Sequence, residues 1–131
     1  MKMTIDTNVL LRAVVGDDAR QSRLAIQAME RAELVAISVH VLCELAWVLN
    51  RQYEVSRPDI AATICQLLNT KNVALNRPAA EAGLTMLESG GDFADGVIAY
   101  EGGWLGGEMF VSFDKKAVSL LAAQNQSARL L

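Results

Sequence analysis

Apolar residues fall into short runs and helix-spaced stripes that alternate along the whole chain. Residues 2–6 predict a short strand ending in Asp6, with Thr7 and Asn8 as a turn or helix cap. A short helix over 9–15 follows, and Gly16 ends it. Asp17 and Asp18 can cap a second helix, in which Leu24, Ala25, Ala28, Met29 and Ala32 form one apolar stripe. Residues 34–37 fit a buried strand, after which Ser38 caps a strongly apolar helix running to about Gln52.

The second half repeats this rhythm. Ser56, with Pro58 in the first turn, opens a helix through Ile60, Ile64, Leu67 and Leu68, and residues 72–75 fit a third strand. Pro78 starts another helix, which Ser89, Gly90 and Gly91 terminate, and Asp92 is placed to cap the next, over 93–102. The glycine-rich segment 102–107 breaks that helix. Residues 109–113 form the next strand candidate, ending at Asp114, and a short helix from Lys115 and a strand over 129–131 close the chain. There is no internal repeat or low-complexity tract.

Strands separated by helices throughout predict an α/β fold, with a parallel sheet covered by helices on both faces and right-handed crossovers. In such sheets ligands bind beyond the carboxyl ends of the strands, where Asp6 and Asp114 stand.

Composition narrows the class. A length of 131 residues fits one domain, 1–131, and a hydrophobic fraction of 52% with 5% aromatics suits helices on a sheet and excludes a disordered chain. The net charge is -3, and its 12 basic residues are scattered among 15 acidic ones with no run longer than the pair Lys115-Lys116, so no polybasic DNA-binding face is present. A nucleic-acid substrate stays open, because bound divalent cations invert the charge of an acidic pocket. Cys43 and Cys65 sit in apolar, helix-spaced stretches that predict buried, reduced thiols and no disulfide framework. No leader-like segment and no apolar stretch near the roughly 20 residues of a membrane span is seen, so a cytoplasmic protein without a membrane partner is expected.

The acids carry the candidate chemistry. Glu44 is the single formally charged residue between Ala36 and Leu49. Burying a lone carboxylate costs several kcal/mol unless a cation or hydrogen bonds compensate, so a partner is expected, either Arg12 or Arg51 in a plain salt bridge or a metal ion. Capping explains Asp92 well and Asp95, followed by Val97, Ile98 and Ala99, less well. Asp6 and Asp114 could each be turn residues after a strand. Taken together, Asp6, Glu44, Asp95 and Asp114 form a pattern that turn chemistry explains poorly.

Close carboxylates raise one another's proton affinity unless a divalent cation neutralises them, and hard oxygen donors suit Mg²⁺ or Mn²⁺. No serine, histidine and acid arrangement is evident, so the expected nucleophile is metal-bound water and the expected reaction phosphodiester hydrolysis. His40 is the only histidine, which excludes a histidine-rich zinc site and leaves packing or a local hydrogen bond as its role. Trp47, on its apolar helix, is expected in the core, and Trp104, between glycine pairs, at a contact surface.

Four segments in order carry a resemblance: residues 5–11 (Ile-Asp-Thr-Asn-Val-Leu-Leu), Glu44 in its helix, residues 92–99 (Asp-Phe-Ala-Asp-Gly-Val-Ile-Ala), and Ser112-Phe113-Asp114. Together they resemble a PIN domain of the VapC toxin type over nearly the whole chain. The resemblance implies a three-layer α/β/α domain, with a central parallel sheet of about five short strands, acting as a Mg²⁺- or Mn²⁺-dependent endoribonuclease. It places Asp6, Glu44, Asp95 and Asp114 at the catalytic, metal-binding positions, with Thr7, Asn8 and Ser112 as supporting polar neighbours and Asp92 as an accessory acid. It also implies an RNA substrate, a VapB-like antitoxin that obstructs the site, and a homodimer. The glycine-rich segment departs from the alanine-rich helix expected there, and Ser112 replaces the commoner threonine.

Three other readings compete. A receiver-like phosphoacceptor domain also groups acids around Mg²⁺, but it needs its acceptor aspartate after the third strand, where this chain has Asn76. A haloacid-dehalogenase-like phosphatase wants a second aspartate where Asn8 stands. A PIN-like fold serving only as an RNA-binding module would not need all four acids.

Overall fold

In the computed structural model, which describes residues 1–131, every segment predicted as helix or strand is present in the predicted order. All strand pairings are parallel. The chain forms two compact units, Met1–Asn76 and Arg77–Leu131.

In the first unit, strands β1 (Lys2–Thr4), β2 (Leu34–Ala36) and β3 (Val73–Ala74) form a sheet in the order β1-β2-β3, with Met3 opposite Val35 and Val35 opposite Val73. Its helices are α1 (Thr7–Val14), α2 (Ala19–Arg31), α3 (Val39–Arg51) and α4 (Arg57–Leu68). Each starts where a side chain accepts an otherwise unpaired first-turn amide: Asp6 from Val9, Asp18 from Gln21, Ser38 from Val41 and Ser56 from Asp59. That is why β1 ends at Thr4 and α1 begins at Thr7, two residues before the predicted start. Asp6 is drawn into the cap. Val41, Leu42, Leu45, Ala46 and Leu49 bury one stripe of α3, and Leu10, Ile60 and Ile64 complete a core in which each buried aliphatic contributes about 1.5–3 kcal/mol. Asn72 donates to the carbonyls of Met29 (2.8 Å) and Ala32 (3.0 Å), tying the entry of β3 to the end of α2.

The second unit contains α5 (Arg77–Glu88), α6 (Phe93–Trp104), β4 (Phe110–Ser112), α7 (Lys115–Ala123) and β5 (Ala128–Leu130), with Val111 opposite Arg129 in a two-stranded sheet. Helices α5 and α6 approach so closely that a Cβ on Gly96 would lie 2.3 Å from the Ala82 carbonyl oxygen, and one on Gly83 would meet the buried Phe93 ring at 2.5 Å. Met86, Ala117 and Leu121 form the core, with Ala99, Phe110, Leu120 and Ala128 around it.

Some expectations need correction. Helix α6 does not break at Gly102 but runs on to Trp104, because the Leu105 N–H still reaches the carbonyls of Glu101 and Gly102; Gly106, at φ +103°, follows it. Trp47 is 58% exposed rather than in the core, since it falls on the opposite side of α3 from Leu42, Leu45 and Leu49. Cys43 and Cys65 are half-buried and form no disulfide. No helix is long and apolar enough to cross a membrane.

Candidate active site

In the first unit, Asp6 stands just past the carboxyl end of β1 and is exposed. Its Oδ1 accepts from the Val9 N–H at 3.0 Å, and none of its hydrogen bonds uses Oδ2. Thr7, half-buried, and Asn8, exposed, form the first turn of α1 beside it. Glu44 is not desolvated as the sequence suggests. Its side chain is half exposed, on the same outward face of α3 as His40 and Trp47, and its partner is His40, with Nε2 2.8 Å from Oε1 across one turn. The apolar neighbours in sequence lie on the other faces of the helix, so Glu44 needs neither of the arginines proposed for it. Arg12 pairs with Asp17 instead, at 3.0 Å. The local hydrogen bond foreseen for His40 is this contact; the packing role is not seen, as the ring is exposed.

In the second unit, Asp92 occupies the N-cap position of α6, but its side chain makes no capping hydrogen bond. Capping is therefore not its main role. Asp95 sits one turn along, half-buried, with its carboxylate in no hydrogen bond, and its amide donates to the Asp92 carbonyl at 3.1 Å. Gly96, pressed against α5, fixes that turn. Asp114 follows β4 and caps α7, its Oδ1 accepting from Lys116 (2.9 Å) and Ala117 (3.1 Å). Ser112 Oγ accepts from the Asp114 N–H at 2.9 Å and so shapes the bend that presents it.

The electrostatics tie these acids together. Burial pushes the Asp95 carboxyl above the usual carboxylate range, and the charges of Asp92 and Asp114 push it further. Three acids thus share one field at the carboxyl end of β4 and the start of α6. A groove of about 420 Å³ in the same unit, lined by Ile98, Gly103, Glu108, Met109 and Gln126, opens at the starts of β4 and β5 instead, away from Asp114.

The sequence fits the PIN domain over residues 3–117. This chain belongs to the PIN-domain family. PIN domains are generally metal-dependent nucleases, so a nucleic-acid substrate and a divalent cation follow from membership. No curated protein matches the chain closely.

In this PIN domain no three His, Cys, Asp or Glu side chains stand close enough together to hold a metal ion by direct contact. The donor chemistry nevertheless fits a hard cation: the acids offer oxygen alone, Oδ2 is uncommitted on Asp6 and Asp114, and Asp95 is wholly uncommitted. Mg²⁺ keeps several waters, so few direct protein ligands are required. The hydrogen-bonded cluster of Arg12, Asp17 and Tyr53 in the first unit leaves no signal in the sequence, where Arg12 is instead a candidate partner of Glu44. Asp17 looked like a cap, a role that belongs to Asp18, and nothing local marks Tyr53 as its partner.

Proposed function

We propose that this PIN domain is a Mg²⁺- or Mn²⁺-dependent endoribonuclease in which Asp6, Glu44, Asp95 and Asp114 are the catalytic and metal-binding acids. The observation that carries this reading is Asp95, a half-buried carboxyl without a hydrogen bond whose proton affinity is raised further by Asp92 and Asp114. Burial first, and then the charges of Asp92 and Asp114, oppose ionisation of Asp95, an opposition that a bound cation would relieve. When bound, a divalent cation supplies Lewis-acid chemistry, acidifying water and neutralising phosphate charge. The same four acids would hold it, directly or through its waters, and Glu44, paired with His40, would also orient a proton-bearing group. Thr7, Asn8 and Ser112 are the supporting polar neighbours that would orient ligands or water, Ser112 also accepting the Asp114 amide, and Asp92 is an accessory acid.

We further propose a VapC-like toxin, acting in the cytoplasm as a single domain over 1–131, homodimeric, and held inactive by a VapB-like antitoxin. Trp104 and Leu105, adjacent at the end of α6 and 78% and 90% exposed, support a chain that meets protein partners. The absence of a disulfide agrees with a reducing compartment.

The test is cleavage of single-stranded and structured RNA by the purified chain with Mg²⁺, with Mn²⁺ and with chelator, beside Asp6→Asn. Cleavage that needs the cation and disappears in the variant is the expected result. Equal activity in Asp6→Asn, or RNA binding without cleavage under all conditions, refutes the assignment.

A further inference from the structure

A hydrogen-bonded cluster in the first unit stands apart from the acids. Asp17, in the loop between α1 and α2, uses both oxygens: Oδ1 accepts from Arg12 Nη1 at 3.0 Å, and Oδ2 accepts from the Tyr53 hydroxyl at 2.9 Å. Arg12 belongs to the last turn of α1, and Tyr53 lies just beyond the end of α3. One carboxylate therefore links the C-terminal ends of two helices that also pack on each other.

Stability alone accounts poorly for this arrangement. An ion pair reachable by solvent adds little, and Arg12 keeps a buried Nε with no hydrogen-bond partner, which counts against it. Direction is what the cluster adds. Leu10 and Leu11 on α1, like Leu42 and Leu45 on α3, are buried apolar side chains; their packing resists separation of the helices but fixes a small slide less sharply than a hydrogen bond does. Hydrogen bonds are sensitive to distance and angle, so three groups held at 2.9–3.0 Å set the slide.

What the slide controls is at the other end of α1. Asp6 caps that helix, and Glu44 rides on α3. We propose that Arg12, Asp17 and Tyr53 are positioning residues: their cluster sets the slide and rotation of α1 along α3, and so where Asp6 stands relative to Glu44. This rests on the reading of those acids as nuclease machinery.

The test uses the full chain and Tyr53→Phe, which removes one hydroxyl. RNA cleavage is followed over substrate concentration, Mn²⁺ binding by calorimetric titration without RNA, and melting temperature on the same samples. A displacement well under 1 Å should lower kcat about tenfold and weaken Mn²⁺ binding several-fold, with KM within about twofold of wild type. Asp17→Asn, whose amide offers one acceptor in place of two, should behave alike and serves if Tyr53→Phe does not fold. Ile64→Val, a core change far from these groups in sequence, supplies a destabilised control that should keep both kcat and Mn²⁺ affinity. Wild-type kcat and Mn²⁺ affinity in Tyr53→Phe would overturn the proposal, and so would equal losses in Ile64→Val. A wild-type chain that binds Mn²⁺ without cleaving RNA rejects the nuclease reading while the Mn²⁺ comparison still decides the positioning role; one that does neither overturns both.

Discussion

The Ser112 hydroxyl oxygen accepts the Asp114 backbone N–H at 2.9 Å, while Asp114 itself accepts two amides of the turn that follows. The two residues hand the chain from strand to helix between them. Asp114 Oδ1 is consumed by this local task, and Oδ2 takes no part in it. One carboxylate can thus be a helix cap and a candidate ligand together, which is why the capping and catalytic readings of the same aspartate are compatible.

Ser112→Ala should weaken cleavage without unfolding the protein. The lost hydrogen bond is worth about 0.5–1.5 kcal/mol, so if the whole of it falls on the placement of Asp114, activity drops at most about tenfold. Ser112→Thr keeps the hydroxyl and should retain activity. Initial rates of RNA cleavage for the two variants decide the matter, and equal rates would remove the serine from the site.

Two glycines of α6 should respond to alanine in opposite directions. At Gly96 the new Cβ meets backbone, the Ala82 carbonyl oxygen at 2.3 Å, so α5 and α6 must move apart at a cost of about 1–3 kcal/mol or more. At Gly102 nothing lies within 4 Å, and alanine gains roughly 1 kcal/mol of helix propensity. Denaturant midpoints should therefore fall for Gly96→Ala and rise for Gly102→Ala. Because Gly96 also fixes the turn that carries Asp95, its variant should lose cleavage even where it remains folded.

The order of elements was legible because each boundary has a local cause, such as Ser38 and Ser56 at helix starts and the turn at Gly90, whose φ is +96°. Short-range chemistry reads well from a single chain. Glu44 misled for the opposite reason. A run of apolar neighbours implies burial only if they surround the residue in space, and in a helix they face other sides. The same geometry turned Trp47 outward. Tyr53 and Asp17 were hidden because their contact spans 36 residues, and no spacing rule joins a loop to the end of a helix at that range.

Asp17 should make the protein sensitive to acid. The Tyr53 hydroxyl, against the opposing effect of burial and with help from Arg12, holds the Asp17 carboxyl below the usual carboxylate range. A carboxyl depressed in the folded state contributes stability that is present above its unfolded value, about pH 4, and is lost as pH falls through the folded value. Wild type should therefore exceed Asp17→Asn in denaturant midpoint at neutral pH, and the gap should close below about pH 4. A gap that stays constant with pH would show that the charge of Asp17 is not the source of the difference.

Asp114 offers the cleanest separation of scaffold from chemistry. Asparagine is nearly as good an N-cap as aspartate, whereas alanine costs about 0.5–2 kcal/mol at such a position. Asp114→Asn should accordingly melt close to wild type, its amide oxygen still accepting from Lys116 and Ala117. Asp114→Ala should melt a few degrees lower, by roughly 3–5 °C per kcal/mol for a chain of this length. Both should lose metal-dependent RNA cleavage to the same extent, because both lack the anionic Oδ2. Activity that followed the melting temperature, with asparagine nearly wild type and alanine impaired, would mean that Asp114 serves the helix alone.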